Sequence, residues 1–164
     1  MKRGIKLTTL KKSAQTVQDM LNEKGLDNEV TELPSGTRTA QEAADALGCK
    51  VNQIAKTIVF RLRKKNQALL VIASGSNRIN EKAVGEIVND ALDKADANFV
   101  KKETGYAIGG VSPLMENDAV EILIDKDLLQ YDEIWAAAGH PKAVFQLTPD
   151  DLQHITNGKL VDIS

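Results

Sequence analysis

The chain has one cysteine, Cys49, and two histidines, His140 and His154, among 164 residues. A lone cysteine excludes an internal disulfide and fits a reducing cytoplasm. The sequence shows no metal-binding His/Cys cluster, and Asp93, Asp96 and Asp118 lack metal-ligand spacing. No metal or cofactor is expected. There is no Gly-x-Ser-x-Gly elbow to present a serine nucleophile. No apolar run approaches the ~20 residues that span a bilayer, and the basic start is followed by no apolar signal core. A membrane role is therefore not expected. Net charge is only −2, which argues against broad coating of DNA or RNA. It leaves open a local patch that grips one end of an RNA.

What is present is an ordinary globular composition, 42% apolar and 27% charged, in a length suited to one domain spanning 1–164. Residues 1–7 are basic and expected to be loose. Thr8 is placed to cap a helix running to about Lys24 and stopped by Gly25. Residues 28–33 read as a short strand, and residues 35–38 as a turn. Thr39 caps a second helix over 40–47, with Glu42 completing a capping box and Gly48 ending it. Residues 56–64 and 67–73 form a hairpin about Lys65 and Asn66, the return strand apolar enough to be central. Asn80 and Asp96 start helices to about Val88 and Thr104. Strands are expected over 119–124, 133–137 and 143–147. Thr148 and Pro149 then open a last helix, and 159–163 closes as an edge strand. The fold class is α+β: a mixed, strongly curved sheet of six or seven strands with helices packed around it. Cys49 reads as a small buried apolar residue.

Residues 105–113 carry three glycines and a proline around a small apolar filling: Gly105, Tyr106, Ala107, Ile108, Gly109, Gly110, Val111, Ser112 and Pro113. No acid, base or thiol occurs among them. Such a loop offers peptide N–H groups, which suit a carbonyl oxygen, an oxyanion or a phosphate, although a tight connection has the same composition. Strand alternation puts Lys56 on one face with Ile58, Phe60 and Leu62, leaving Thr57, Val59, Arg61 and Arg63 on a face read as wet. An ammonium beside an apolar wall must reach water, a carboxylate or an anionic ligand. Asn52, four residues earlier, would lie beside it if a helical turn leads into the strand. His140, between Gly139 and Pro141, is either a general base, an orienting donor or a turn residue. Tyr106 either closes a pocket wall or fills core. Ser112 has no evident base and reads as shaping the backbone. Arg61, Arg63, Lys64 and Lys65 either touch an RNA stem or decorate a solvated hairpin tip.

Three stretches together are similar to the YbaK/EbsC/ProXp family, free-standing relatives of the editing insertion in bacterial prolyl-tRNA synthetases. They are Ala55-Lys56-Thr57-Ile58-Val59, the segment from Thr104 to Pro113, and Ala138-Gly139-His140 with Thr148-Pro149-Asp150-Asp151-Leu152 beyond it. The resemblance runs from about residue 8 to 162. It implies trans-editing: hydrolysis of the ester between a wrongly attached amino acid and the 3′-terminal adenosine of a transfer RNA. It makes aminoacyl-tRNA, through its 3′ acceptor end, the partner, with an aminoacyl-tRNA synthetase as a further one. It assigns Lys56 to the phosphate of the terminal nucleotides and the amides of the Gly109 to Pro113 element to the scissile carbonyl. Lys56, Gly109, Gly110 and His140 become the catalytic set. Asn52, Tyr106, Ile108, Val111, Ser112, Pro113 and Gly139 become the substrate-binding set. Asn52 matches alanine-specific members, and Gly139-His140 resembles a pair lining the amino-acid pocket, whereas cysteine-specific members lean on the substrate's thiol. An aminoacyl ester is already activated, so amide donors and positioning suffice without a side-chain nucleophile. The alternatives are a noncatalytic module that binds aminoacyl-adenosine and a hydrolase of another small activated ester.

Overall fold

The computed structural model describes residues 12–34 and 39–164. The expected Thr8 cap, the segment 1–7 and the turn at 35–38 lie outside them. The elements are α1 (Lys12–Glu23), β1 (Val30–Glu32), α2 (Ala40–Leu47), β2 (Ile54–Leu62), β3 (Ala68–Ser74), α3 (Glu81–Val88), β4 (Leu92–Lys94), α4 (Ala97–Thr104), β5 (Glu121–Asp125), β6 (Ile134–Ala137), β7 (Ala143–Leu147), α5 (Pro149–Thr156) and β8 (Lys159–Val161). Short 3₁₀ turns precede β2 and follow β5. The α+β class holds, with eight strands rather than six or seven. The unforeseen one is β4, three residues with no periodicity of their own.

Helix starts obey side-chain grammar. The Thr39 hydroxyl accepts from Glu42 N–H, and the Glu42 carboxylate accepts from Thr39 N–H, each at 3.0 Å. Asn80, Asp96 and Thr148 accept in the same way from Ala83, Phe99 and Asp151.

The sheet runs β1-β7-β6-β2-β3-β5-β8, with β4 also paired to β2. β3 is buried along its whole length. It is antiparallel to β2 and parallel to β5. β2 is covered on both faces. Phe60 and Leu62 join Leu69, Val71 and Val84 in one core, while Ala55 and Val59 pack into the larger core with Leu70, Ile72 and Phe145. The face expected to be wet is therefore half-buried at Thr57 and Val59 and exposed only from Arg61, and Arg63 lies beyond the end of the strand.

One feature of this topology matters for function. β3 occupies one edge of β2 from Ala55 to Arg61. On the other edge, β6 pairs only with Ile54 and Ala55, and β4 only with Phe60, Arg61 and Leu62. Among the described residues, no strand lies beside 56–59 on that edge. The sheet has a gap there.

Candidate active site

The glycine loop lies across this gap. α4 ends at Thr104, and Gly105, in the left-handed region at φ 84°, turns the chain back. Tyr106 drops into the core, 5% exposed, where its hydroxyl donates to the Leu114 carbonyl and touches Met20 Sδ. Burial, with a contribution from Glu116, pushes its phenol up to about 12. It fills core and lines neither of the cavities described below.

Gly110 N–H then donates to Ala107 O at 3.0 Å, closing a turn in which Gly109 has φ +89°. A positive φ at the third position is the mark of a type II turn and explains the glycine. Gly110 is glycine for a different reason. A Cβ there would sit 2.8 Å from both Cα and C of His140, and 2.9 Å from its N. The loop and the β6–β7 connection meet backbone to backbone. Ser112, fully buried, accepts from Leu114 N–H, and Pro113 is buried beside it.

Two adjoining cavities share this wall. The larger, about 570 Å³, is lined by residues 56–60 of β2, by Asn77, Arg78 and Ile79, by Lys94, and by Ile108, Gly109 and Val111. The smaller, about 260 Å³, extends toward α2 and β6 and includes Ala40, Ala43, Ala136, Pro141 and Val144. Common to both are Lys56, Thr57, Ile58, Gly109 and Val111. Lys56 and two peptide units of a glycine loop therefore line the place where the cavities join.

Donor availability separates the loop residues. The Gly110 N–H is committed to Ala107, whereas Gly109 and Val111 N–H have no hydrogen-bond partner among the described residues. Of the loop residues with an uncommitted N–H, these two line both cavities. Gly110 contributes by allowing the loop to approach His140.

His140 and Asn52 are elsewhere engaged, and neither lines the two cavities. His140 Nδ1 accepts from Lys142 N–H at 3.2 Å, which puts the proton of a neutral ring on Nε2. Gly139, at φ +88°, packs so closely on the Ser13 carbonyl that a Cβ would lie 2.5 Å from it. Asn52 faces Ser76, whose hydroxyl donates to Asn52 Oδ1, while the Ser74 hydroxyl donates to the Asn52 carbonyl. It braces the loop after β3.

Residues not anticipated at the site are Thr57, Arg78, Lys94, Trp135 and Pro141. The Thr57 hydroxyl oxygen is shielded from solvent and has no hydrogen-bond partner among the described residues. For Arg78 the signal was the hairpin register: Ala55 opposes Ser74, so the loop that follows β3 falls beside Lys56. The hairpin-tip cations are tethered locally. Arg63 pairs with Asp93 at 2.7 Å and holds that carboxyl below its usual range. Arg61 donates to Asn66 and lies 5.4 Å from the Phe99 ring centroid, and Lys65 Nζ donates to Val88 O. Cys49 is half-buried, and burial raises its thiol pKa, the opposite of an activated nucleophile. Among the described residues no cluster of His, Cys, Asp or Glu could hold a metal ion, and no helix is long and apolar enough to cross a membrane.

Comparison with known proteins shows the family. The family model for an aminoacyl-tRNA editing domain matches residues 34–155. The chain is 27% identical over 148 residues to the uncharacterized protein YwhH of Bacillus subtilis, covering 90% of this chain and 94% of that one. It is 25% identical over 126 residues to EbsC of Enterococcus faecalis, a candidate Cys-tRNA(Pro)/Cys-tRNA(Cys) deacylase, covering 77% of each. A crystal structure of a candidate trans-editing enzyme for prolyl tRNA synthetase superposes with a TM-score of 0.90 at 41% identity, over 95% of this chain and 99% of that one. The editing-domain match takes in both the lysine strand and the glycine loop, and with it the chain belongs to the aminoacyl-tRNA editing family, among its YbaK/EbsC members.

Proposed function

We propose that the protein acts in trans on mischarged aminoacyl-tRNA, hydrolysing the ester between a small amino acid and the 3′-terminal adenosine. The observation that carries this is the junction of the two cavities at Lys56, Gly109 and Val111. An ester with a bulky anionic nucleotide on one side and a small acyl group on the other has the same two-part shape.

The smaller cavity is walled largely by alanine, valine and proline, which suits an uncharged small side chain such as that of alanine or cysteine. The larger takes the adenosine, with Lys56 held toward its phosphate. The scissile carbonyl then lies at the shared wall, under the Gly109 and Val111 amides. Water attacks the carbonyl carbon, and the oxyanion of the tetrahedral intermediate accepts from those N–H groups. One such donor is typically worth ~3 kcal/mol in the transition state. The C–O bond to the ribose breaks, the ribose oxygen takes a proton, and the free amino acid leaves as its carboxylate. The second proton of the attacking water passes to solvent, relayed by the vicinal ribose hydroxyl, since no side-chain base is among the described residues that line the junction. Holding water and ester in register supplies the remaining acceleration. The names borne by the relatives, a Cys-tRNA(Pro) deacylase and a trans-editing enzyme for prolyl tRNA synthetase, support tRNA(Pro) as the carrier and a synthetase as a neighbour in the cell.

The test is incubation with tRNA(Pro) charged with alanine, cysteine or proline. Release of free alanine or cysteine well above the spontaneous rate, with proline spared, is the expected result. Protection of the ester without turnover would instead make the protein a binding module.

A further inference from the structure

Lys56 is not the only unpaired cation at the larger cavity. Arg78 and Lys94 line it as well, against a single acid, Glu81, and none of the three cations forms an ion pair among the described residues. Each is rooted on a firm element. The loop carrying Arg78 is pinned at both ends. Asn77 donates its amide to Asp125 and Asp127 at 2.8 and 2.7 Å, and Asn80 N–H donates to Ile163 O at 2.6 Å. Asp125, 2% exposed, also accepts from Ser74 N–H. Lys94 lies on β4 directly opposite Phe60. Phe60 lies four residues along the strand from Lys56, so the roots of the two lysines are ~13 Å apart along β2. Roots that far apart suit two different anionic groups rather than one. Between them the wall is apolar, with Ile58, Phe60, Ile79 and Ile108, the last 58% exposed.

Alternating cations and an apolar floor match a short single-stranded polynucleotide, whose phosphates repeat along one side while its bases stack away from water. We propose that Arg78 and Lys94 bind the phosphates upstream of the terminal adenosine, so that the cavity receives the last few nucleotides of the RNA rather than its final nucleoside alone. This rests on RNA being the substrate, yet it is tested by binding, which does not require hydrolysis.

The measurement is affinity for an uncharged single-stranded RNA with the tRNA 3′-terminal sequence, against adenosine monophosphate, as a function of salt. The proteins compared are the full chain and the Arg78→Gln/Lys94→Gln double variant, with a melting curve to establish that both fold. We expect the variant to bind the oligonucleotide at least tenfold more weakly. Its log affinity against log salt should also be shallower by about 0.7 per lost contact. Where hydrolysis is measurable, the ratio of kcat/KM for aminoacyl-tRNA to that for aminoacyl-adenosine should fall by a similar factor, through KM. Affinity and slope within twofold of the parent protein overturn the proposal, as does an equal loss for adenosine monophosphate. Oligonucleotide binding that weakens as expected in a protein without deacylase activity would leave this inference standing and remove the catalytic reading.

Discussion

Two cavities of similar volume open on this molecule with opposite electrostatics. The one at the gap in the sheet, about 570 Å³, is lined by Lys56, Arg78 and Lys94 with one acid. The other, about 480 Å³, lies by β1, β6 and β7 and is lined by Asp27, Glu29, Glu133 and Asp151, with no basic residue among its described lining. A net charge of −2 hides this segregation. A polyanion is drawn to the first and repelled from the second, and the repulsion helps choose the orientation of docking as much as the attraction does. The walls differ too. Paired strands β6 and β7 contribute to the acidic cavity, whereas the cationic one is closed by a loop whose approach depends on a missing side chain.

The largest expected effect comes from that loop. Gly110→Ala puts a methyl group within 2.9 Å of the His140 backbone, where no rotamer change relieves it. Displacing the Gly109 and Val111 amides by even ~1 Å should lower kcat/KM about 100-fold. Because Gly110 N–H is already committed to Ala107, a loss of that size would reflect position rather than a missing donor. Deacylation kinetics on a folded variant reads it.

Next in size is Lys56→Ala, expected to cost tenfold or more in kcat/KM, with Lys56→Arg recovering part of it. Glu133→Gln, in the acidic cavity, should change the rate less than twofold. Similar losses at Lys56 and Glu133 would break the contrast between the two sites.

The smallest effect is on stability. The Thr57 hydroxyl is buried without a partner, and such a group costs ~1–3 kcal/mol. Thr57→Val should therefore raise Tm by at least ~2–4 °C, whereas Thr57→Ser should not. An unchanged or lower Tm for Thr57→Val, measured by calorimetry, would mean that the hydroxyl finds a partner in solution.

Local signals made much of the fold readable before any coordinates. Thr39 with Glu42, Asn80, Asp96 and Thr148 with Pro149 each announce a helix start within four residues, and each cap is present. What escaped was non-local. β4 exists because the edge of β2 beyond Phe60 offers a ladder and Arg63 reaches Asp93. The covering of Thr57 and Val59 depends on elements far along the chain. At the site, Lys56 with Gly109 and Val111 was legible, since a lysine leading an apolar strand and a glycine-rich loop are both chemically unusual. Which glycine N–H the turn itself uses was not, because the Ala107–Gly110 hydrogen bond is a matter of turn geometry. Tyr106 could not be placed from sequence because its partner, the Leu114 carbonyl, is chosen by the path of the loop. A helical turn at Val51–Gln53 does lead into β2, yet the partner the structure gives the Asn52 side chain is Ser76.

The most direct measurement is a crystal structure with a non-hydrolysable analogue, alanine joined by an amide to the 3′ position of adenosine 5′-monophosphate. The account predicts its carbonyl oxygen at ~3 Å from the Gly109 and Val111 nitrogens, its methyl group in the smaller cavity and its phosphate at Lys56. An analogue bound with its carbonyl turned away from the loop, or seated by Glu133 and Asp151, would contradict it.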